Sequence, residues 1–279
     1  MKLVRFGKCG SERPGLIDES GRLRDLSAVV PDVATSALSP ASLRAIAASE
    51  GLPVVHEAVR FGACVGQVGK MICVGLNYHE HVREVGSVTP KEPILFMKAT
   101  SAICGPDDQI ILPPQAQAVD WEVELGVVIG TRATRVTLDR ALDHVAGYCI
   151  VNDVSERDWQ LQGTGQWVKG KSSDTFGPLG PWLVTADEIP DPQQLRLTLG
   201  LNGEQRQSGT TADMVFGVRE IVSYISRFMT LLPGDVISTG TPPGVGMGCK
   251  PPRYLRDGDR LELSIEGLGV QRQRCVASA

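Results

Sequence analysis

Acidic side chains stand at alternate positions in the stretch DWEVE, residues 120–124. Successive side chains of a β-strand point to opposite faces, so a strand here would place Asp120, Glu122 and Glu124 on one face. The apolar run at residues 125–129 indicates a core-like layer, where like charges are costly unless a cation compensates them. The pattern therefore predicts that Glu122 and Glu124 bind a divalent metal ion. A solvated strand face is the alternative interpretation.

A further carboxylate, Asp153, follows the apolar run GYCIVN, residues 147–152, where the pattern predicts the end of a strand. Functional side chains are often presented at such positions. With Glu122 and Glu124 it would supply three oxygen ligands and leave positions open for water and substrate, as Mg²⁺ and Mn²⁺ sites require. A zinc site would need more histidine and cysteine ligands than the four scattered histidines supply.

A histidine and a glutamate stand three positions apart in HEHVRE, residues 79–84. On a short helix, His81 and Glu84 would be neighbours, and the carboxylate would orient the imidazole and stabilise its charged form. A general base needs this arrangement. An ordinary ion pair on a surface helix is the alternative, and Glu80 paired with a basic neighbour is the competing arrangement.

Two polar loops could face an anionic substrate. The loop at residues 166–178 contains Lys169 and Lys171, which could meet an anion or could simply be solvated. The glycine-rich stretch at residues 238–248 lacks the Lys-Ser/Thr ending and the following helix of a phosphate-binding loop. Rigid turns that present Thr241 and backbone amides to a carboxylate or an oxyanion are the better functional interpretation.

The elements that must position these residues fall into two regions, divided near residue 64. Residues 1–64 predict a small α/β appendage with three strands and a helix that begins at Ser39-Pro40. Residues 65–279 contain short apolar runs separated by Gly and Pro, as is typical of a β-rich domain. The sequence thus predicts an α+β chain that is mainly β. The strands predicted in the second region are 71–76, 94–97, 110–112, 123–129, 148–151, 195–201, 236–239 and 261–265, and the helices are 138–145 and 218–231.

Bulk composition excludes several classes of function. The chain has 28 basic and 32 acidic residues without a basic run, so there is no electrostatic footprint for nucleic acid. Its seven cysteines form no CxxC pair, which indicates reduced thiols. No signal-like start and no apolar run of about 18 residues is present. We therefore expect a cytoplasmic enzyme that acts on a small molecule and has no membrane partner.

Five separated motifs carry a family resemblance. They are GLNYxxHxxE (75–84), DWEVELGVVIG (120–130), NDVSERDWQ (152–160), KSSDTFGPLGPW (171–182) and PGDVISTGTPPGVG (233–246). In this order they resemble the fumarylacetoacetate hydrolase family, and its bacterial members often labelled ureidoglycolate lyase or diketo sugar-acid hydrolase. The resemblance covers residues 65–270.

The resemblance implies the family's mixed β-sandwich roll, a homodimer, and specific roles for residues of this chain. Glu122, Glu124 and Asp153 would bind one Mg²⁺ or Mn²⁺ per subunit, and His81 with Glu84 would activate water. The other residues that match catalytic or substrate-binding positions are Lys171, Tyr78, Arg157, Gln160 and Thr241.

From these features we expect metal-dependent hydrolysis of a C–C bond in a 2,4-dioxo acid, either an acylpyruvate or a 2,4-diketo-3-deoxy sugar acid. The products would be pyruvate and a carboxylic acid. Ureidoglycolate lyase, oxaloacetate decarboxylase and 5-carboxymethyl-2-hydroxymuconate-type isomerase activities on the same scaffold are the alternatives. A non-catalytic oxo-acid-binding protein is an alternative of a different class, and the intact His81–Glu84 pair argues against it.

Overall fold

The structure, a computed structural model, describes residues 1–278 and is built mainly from short strands. In chain order they are β1 (Lys2–Phe6), β2 (Arg13–Ile17), β3 (Leu23–Asp25), β4 (Met71–Gly75), β5 (Ile94–Lys98), β6 (Ile103–Cys104), β7 (Ile110–Leu112), β8 (Val119–Asp120), β9 (Val123–Ile129), β10 (Val145–Asn152), β11 (Ser155–Glu156), β12 (Gly177–Thr185), β13 (Arg196–Leu201), β14 (Glu204–Thr210), β15 (Val236–Ser238), β16 (Arg260–Ile265) and β17 (Gly269–Ala277).

Helices are short and few by comparison. The α-helices are α1 (Pro40–Ala47), α2 (His79–Glu84), α3 (Arg157–Leu161), α4 (Val168–Lys171) and α5 (Val218–Phe228). Single turns of 3₁₀-helix lie at Thr35–Leu38, Thr100–Ala102, Ala186–Glu188, Thr211–Asp213 and Gly246–Gly248, and a longer one at Leu138–His144.

The strands form two main sheets. The larger runs in the order β3-β2-β1-β12-β10-β9-β15-β4-β5, with β6 added to β12. Its neighbours are antiparallel except for the pairs β15–β4 and β12–β6. The second sheet runs β14-β13-β16-β17-β7 and packs against β9, β10 and β12. This mainly β architecture confirms the predicted fold class.

Strand β9 is buried on both faces because a layer packs on each side of the large sheet. Leu125 and Val127 point into the core between the two sheets, where they meet residues such as Leu199 and Leu263. Val128 points the other way, into a second core that includes Leu3 of the N-terminal segment. Each side chain of this size that is fully buried contributes about 1.5–3 kcal/mol to folding. A charged side chain on either face of β9 therefore enters an apolar layer.

The N-terminal segment shares this large sheet with the rest of the chain. Strand β1 pairs with β12, with Leu3 opposite Leu183. Helix α1 begins as predicted, because the Ser39 hydroxyl accepts a hydrogen bond from the backbone N–H of Ser42 and Pro40 occupies the first helical position. The predicted division at residue 64 stays a prediction, since both regions contribute strands to one sheet.

Several elements differ from the sequence prediction. The segment predicted as a helix at 138–145 is a 3₁₀-helix over Leu138–His144. Strands β12, β14 and β17 were not predicted, because their patterns lack apolar alternation. In β17, for example, the buried Gln271 side chain donates hydrogen bonds to the Ile150 carbonyl (2.8 Å) and the Gly180 carbonyl (2.9 Å). A buried glutamine whose amide is satisfied in this way reads in sequence as a polar loop residue.

Candidate metal centre and active-site cavity

The register of β9 and β10 brings three carboxylates together. Val151 is the Cα partner of Glu124, and Asn152 is the partner of Val123. One step further, the backbone N–H of Asp153 donates to the carbonyl of Glu122 at 3.0 Å. Side chains directly opposite one another in a strand pair lie on the same face. The end of β10 therefore places Asp153 beside the two glutamates.

Glu122, Glu124 and Asp153 form a buried acidic cluster. One oxygen from each carboxylate lies within 4.8 Å of the other two. None of the three residues is more than 5% exposed. These are the three residues that the sequence predicts as metal ligands, and the structure places them together.

Three buried cations contact this cluster. Lys171 donates from Nζ to Glu122 Oε2 at 2.7 Å and to Asp153 Oδ2 at 2.8 Å. Lys98 donates to Asp153 Oδ1 at 2.5 Å. Arg157 donates from Nη2 to Glu122 Oε1 at 2.7 Å. Every one of these contacts is made to Glu122 or Asp153.

Glu124 accepts hydrogen bonds from neutral donors instead. The Ser238 hydroxyl donates to its Oε2 at 2.5 Å, and the backbone N–H of Gly240 donates to the same oxygen at 2.9 Å. Burial, together with the neighbouring charges of Asp153 and Glu122, raises the pKa of Glu124 to about 8. Burial also opposes ionisation of Glu122, but Arg157 and Lys171 hold its pKa well below the ordinary value. Ionisation of Glu124 is thus opposed in this cluster, whereas ionisation of Glu122 is favoured.

This donor set fits a hard divalent cation. All three candidate ligands are carboxylates, the ligand type that Mg²⁺ and Mn²⁺ prefer. A dication would compensate the charge of Glu124 that burial and its neighbours now oppose. The cluster is therefore a candidate metal site on the chemistry of its donors and on their burial.

Asp120 does not join the cluster, although the alternating pattern predicted all three acids on one face. Strand pairing stops after β8 at Asp120 and resumes at Val123, so the alternation is interrupted. The Asp120 carboxylate instead accepts hydrogen bonds from the backbone N–H groups of Gly246 (2.6 Å) and Met247 (2.9 Å), and from Arg157 Nε (2.9 Å). Asp120 therefore fixes the position of the glycine-rich loop at residues 238–248 and of the Arg157 guanidinium group.

The predicted histidine–glutamate pair is formed on α2. His81 Nδ1 lies 3.0 Å from Glu84 Oε2, and the backbone N–H of Gly244 donates to Glu84 Oε1 at 2.8 Å. His81 is buried, with 6% of its surface exposed. When Nδ1–H is donated to Glu84, the other ring nitrogen, Nε2, keeps its lone pair and can accept a proton. The carboxylate, itself held by the glycine-rich loop, sets the orientation of the ring.

A cavity of about 290 Å³ joins the acidic cluster to His81. Lys171, predicted as catalytic, is buried at its wall, whereas Lys169 is exposed. Arg157 and Gln160 lie side by side there, with Arg157 Nη1 donating to Gln160 Oε1 at 3.0 Å. The predicted site residues that line the cavity are His81, Glu122, Glu124, Arg157, Gln160, Lys171 and Thr241.

Tyr78 and Thr241, both predicted as substrate-binding residues, differ in how they relate to the cavity. Tyr78 does not line the cavity; its ring is fully buried in the core between the sheets. Thr241 does line it, but its hydroxyl donates to the Val123 carbonyl (3.0 Å) and accepts from Gln207 Nε2 (2.7 Å). That hydroxyl hydrogen is already used by the fold, so Thr241 primarily anchors the glycine-rich loop to β9.

Sequence reasoning missed Lys98 and Ser238. Lys98 is 1% exposed at the end of β5, and besides Asp153 it donates to the Val154 carbonyl at 2.9 Å. A lysine that ends an apolar strand is the one signal that could have drawn attention to it. Ser238 gives no such signal, because serine at the end of a strand is common. Lys98 donates a hydrogen bond to Asp153, and Ser238 donates one to Glu124. Hydrogen bonds of this kind orient the side chains that bind a metal ion.

Metal binding is expected to release a proton from Glu124 at neutral pH. The pKa of this residue is about 8 in the metal-free protein, so the carboxyl is mostly protonated at pH 7 and must ionise to bind a cation. We expect close to one proton released per ion near pH 7, a smaller number above the pKa, and metal affinity that rises with pH up to that point. Calorimetric titration with Mn²⁺ in buffers of different ionisation enthalpy measures this number. A proton count near zero at pH 7 would contradict it.

Within residues 1–278, none of the helices has both the length and the apolar character needed to cross a membrane.

This chain is similar to a family model and to several known proteins. Residues 70–276 match the family model "Fumarylacetoacetate (FAA) hydrolase C-terminal". A Burkholderia orbicola (strain MC0-3) protein that carries only the general name of a hydrolase is 58% identical over 277 residues, which cover 98% of each chain.

Two solved structures match this chain over its whole length and over theirs. One is described as a probable 2-hydroxyhepta-2,4-diene-1,7-dioate isomerase from Mycobacterium abscessus, with 36% identity and a TM-score of 0.84. The other is maleylpyruvate hydrolase from Sphingobium sp. SYK-6 in complex with manganese(II) and pyruvate, with 30% identity and a TM-score of 0.83.

Proposed function

The chain belongs to the fumarylacetoacetate hydrolase family, and from that premise we propose that it is a Mg²⁺- or Mn²⁺-dependent hydrolase that cleaves a C–C bond in a 2,4-dioxo acid. Acylpyruvates and 2,4-diketo-3-deoxy sugar acids are the substrate classes. The observation that carries this proposal is the single cavity lined both by buried carboxylates of the acidic cluster and by the glutamate-bound His81. The predicted cytoplasmic location and homodimer stay predictions.

Glu122, Glu124 and Asp153 would hold the metal ion, one per subunit. A bound divalent ion supplies Lewis acidity, which stabilises the negative charge that develops on the oxygens of an oxo acid. The manganese(II) and pyruvate in the related maleylpyruvate hydrolase support this choice of metal and of product. Ser238 and Lys98 keep two of the three ligands in place from behind.

The residues of this chain would carry the proton transfer. His81 Nε2 takes a proton from water, and the oxygen of that water forms a bond to the C4 carbonyl carbon of the substrate. Glu84 stabilises the resulting imidazolium through Nδ1. The C3–C4 bond then breaks, its electron pair passes to the pyruvate enolate, and the proton on His81 returns to C3. The balance is one dioxo acid and one water to pyruvate and a carboxylic acid.

Cations in the wall of the cavity would orient the substrate. Lys171 lies between Glu122 and Asp153, so its ammonium group can meet the carboxylate or oxo oxygens of a ligand beside the cluster. Arg157 is held by Asp120 and Gln160 as well as by Glu122. Gln160 offers its amide N–H₂ group at the same wall. These fixed donors would align the C4 carbonyl with the water at His81.

Isomerisation of an unsaturated dioxo acid is the second candidate function, because a structurally similar chain is described as an isomerase of that type. It requires movement of a proton within the substrate but no attack by water. Decarboxylation of oxaloacetate also requires a stabilised enolate. Lyase action on ureidoglycolate instead releases an oxo acid. The His81–Glu84 pair favours hydrolysis over these reactions, since it can activate water.

Product analysis on the metal-loaded protein tests the proposal. We expect acylpyruvates to give pyruvate and a carboxylic acid in equal amounts, as measured by NMR, with uptake of ¹⁸O from labelled water into the carboxylic acid. A chelator should abolish the reaction, and added Mn²⁺ or Mg²⁺ should restore it. Turnover that continues in the chelated protein, or a product without ¹⁸O, would contradict hydrolysis by this site.

A further inference from the structure

Two chemically different sets of residues line the cavity. One set is charged or polar and includes His81, Glu122 and Glu124. The other set, called the apolar wall below, includes the side chains of Val85, Phe96, Leu161, Trp167 and Met247. A substrate whose oxo-acid end lies at the acidic cluster can therefore place the rest of its acyl chain against apolar side chains.

Two aromatic rings dominate the apolar wall and are fixed against each other. The centroids of Phe96 and Trp167 are 5.2 Å apart and their planes are inclined by 65°, an edge-to-face contact. Lys171 Nζ lies 5.0 Å from the Phe96 centroid. Edge-to-face rings and cation–π contacts are both favourable. The apolar wall therefore contacts Lys171, the residue predicted to orient the oxo-acid end of the substrate.

Gly75 allows Trp167 to take this position. A Cβ atom at residue 75 would lie 2.4 Å from Cζ3 and 2.8 Å from Cη2 of the indole. Gly75 ends β4, and its backbone φ is not in the left-handed region, so close approach of the ring is what requires glycine here. Any side chain at this position would push Trp167 away from the place where it lines the cavity.

The cations that line the cavity are already engaged by carboxylates of the protein. Among the residues the structure describes, the lysine and arginine side chains that line the cavity are Lys171 and Arg157. Both are already paired with Glu122, and each has a further carboxylate partner, Asp153 or Asp120. Burial of a tail carboxylate without a cation would be costly. The wall therefore discriminates by charge as well as by shape.

From this geometry we infer that the substrate's acyl side carries an uncharged, apolar tail, preferably an aromatic ring, that packs on Trp167 and Phe96. The inference rests on the proposed function, because it takes the oxo-acid end to lie at the acidic cluster. It distinguishes this chain from a dicarboxylate enzyme of the same family. A cavity of about 290 Å³ is at the small end of ligand pockets, so one ring rather than a long chain is the fitting tail.

Selectivity between matched acylpyruvates tests the inference. Benzoylpyruvate should show a kcat/KM about 10–100-fold above that of acetylpyruvate, because burial of the ring adds binding energy that the methyl group of acetylpyruvate cannot supply. Succinylpyruvate, with a charged tail, should be worse than acetylpyruvate. Either the reverse order or a preference for succinylpyruvate would overturn the inference.

Substitutions at the wall provide the second measurement. Trp167→Leu and Gly75→Ala should each reduce the benzoyl-to-acetyl ratio of kcat/KM by at least about 5-fold, because both remove the indole from its place. Trp182→Leu makes the same change away from the cavity and should leave the ratio unchanged. Circular dichroism checks that each variant is folded. A folded Trp167→Leu protein with the wild-type ratio would rule the wall out as the tail site.

Binding without turnover separates this inference from the proposed reaction. In calorimetry with the Mn²⁺-loaded protein, phenylpyruvate should bind at least about 10-fold tighter than pyruvate, and the difference should shrink in Trp167→Leu. If acylpyruvates are not cleaved but phenylpyruvate binds more tightly, the hydrolase proposal fails and the apolar tail site stands. If acylpyruvates are cleaved but phenylpyruvate binds no tighter than pyruvate, the hydrolase proposal stands and the tail site is wrong.

Discussion

Replacement of Glu124 by glutamine is expected to lower Mn²⁺ affinity by more than about 100-fold, with a loss of turnover of the same order at limiting metal. Substitution of a residue that hydrogen-bonds to a metal ligand typically lowers metal affinity or activity by about 10–100-fold. Substitution of a ligand itself should lower metal affinity by more. The amide is isosteric, and its oxygen can still accept from the Ser238 hydroxyl and the Gly240 N–H. The fold should be retained, since a buried carboxyl that resists ionisation is replaced by a neutral group.

Calorimetric titration with Mn²⁺ and steady-state kinetics at fixed metal concentration measure these losses. Glu262→Gln is the matched control, because Glu262 is exposed on β16 and forms a surface ion pair with Arg272. The control should bind metal and turn over substrate as the unsubstituted protein does. Unchanged Mn²⁺ affinity in the Glu124→Gln protein would exclude Glu124 as a metal ligand.

Replacement of His81 by glutamine is expected to lower kcat by about 10²–10⁴-fold, the usual contribution of a positioned general base. Metal affinity should change little, because His81 contacts Glu84 and is not one of the three clustered carboxylates. The loss should appear in kcat rather than in KM, since proton transfer occurs in the transition state.

His79→Gln is the matched control for this exchange. His79 lies on the same helix, α2, two residues away, and is exposed. Its substitution should leave kcat within about two-fold of the original value, as expected for a surface position. A His81→Gln protein with normal kcat and normal metal affinity would exclude His81 as the base.

The central part of the site could be predicted because its pattern is local. Glu124 lies in β9, Glu122 immediately precedes it, and Asp153 immediately follows β10. The apolar residues of both strands identify them in the sequence, and the ends of paired strands meet. His81 and Glu84 stand at the spacing of a helix, and the structure places them 3.0 Å apart. Short-range periodicity of this kind is readable from one sequence.

The positions of the other site residues could not be predicted, because they depend on contacts between distant parts of the chain. Asp120 fitted the same alternation as Glu122, but pairing is interrupted between β8 and β9, and loop amides more than a hundred residues away take up its carboxylate. Lys98 reaches Asp153 across 55 residues of sequence. Tyr78 immediately precedes helix α2, yet its side chain is buried in the core. No local pattern reports which partner such a side chain finds.

The N-terminal strands of the large sheet have a consequence for the timing of folding during synthesis. Lys2 of β1 pairs with Val184 of β12. Strands β1 and β2 are therefore synthesised long before β12 leaves the ribosome. At synthesis rates of about 5–20 residues per second, the delay is on the order of 10–40 s. Throughout that interval the β1 edge and its apolar side chains are unpaired, and such edges are prone to aggregate. Until β12 is synthesised, the β1 edge of the growing chain is therefore open to strand pairing with another chain.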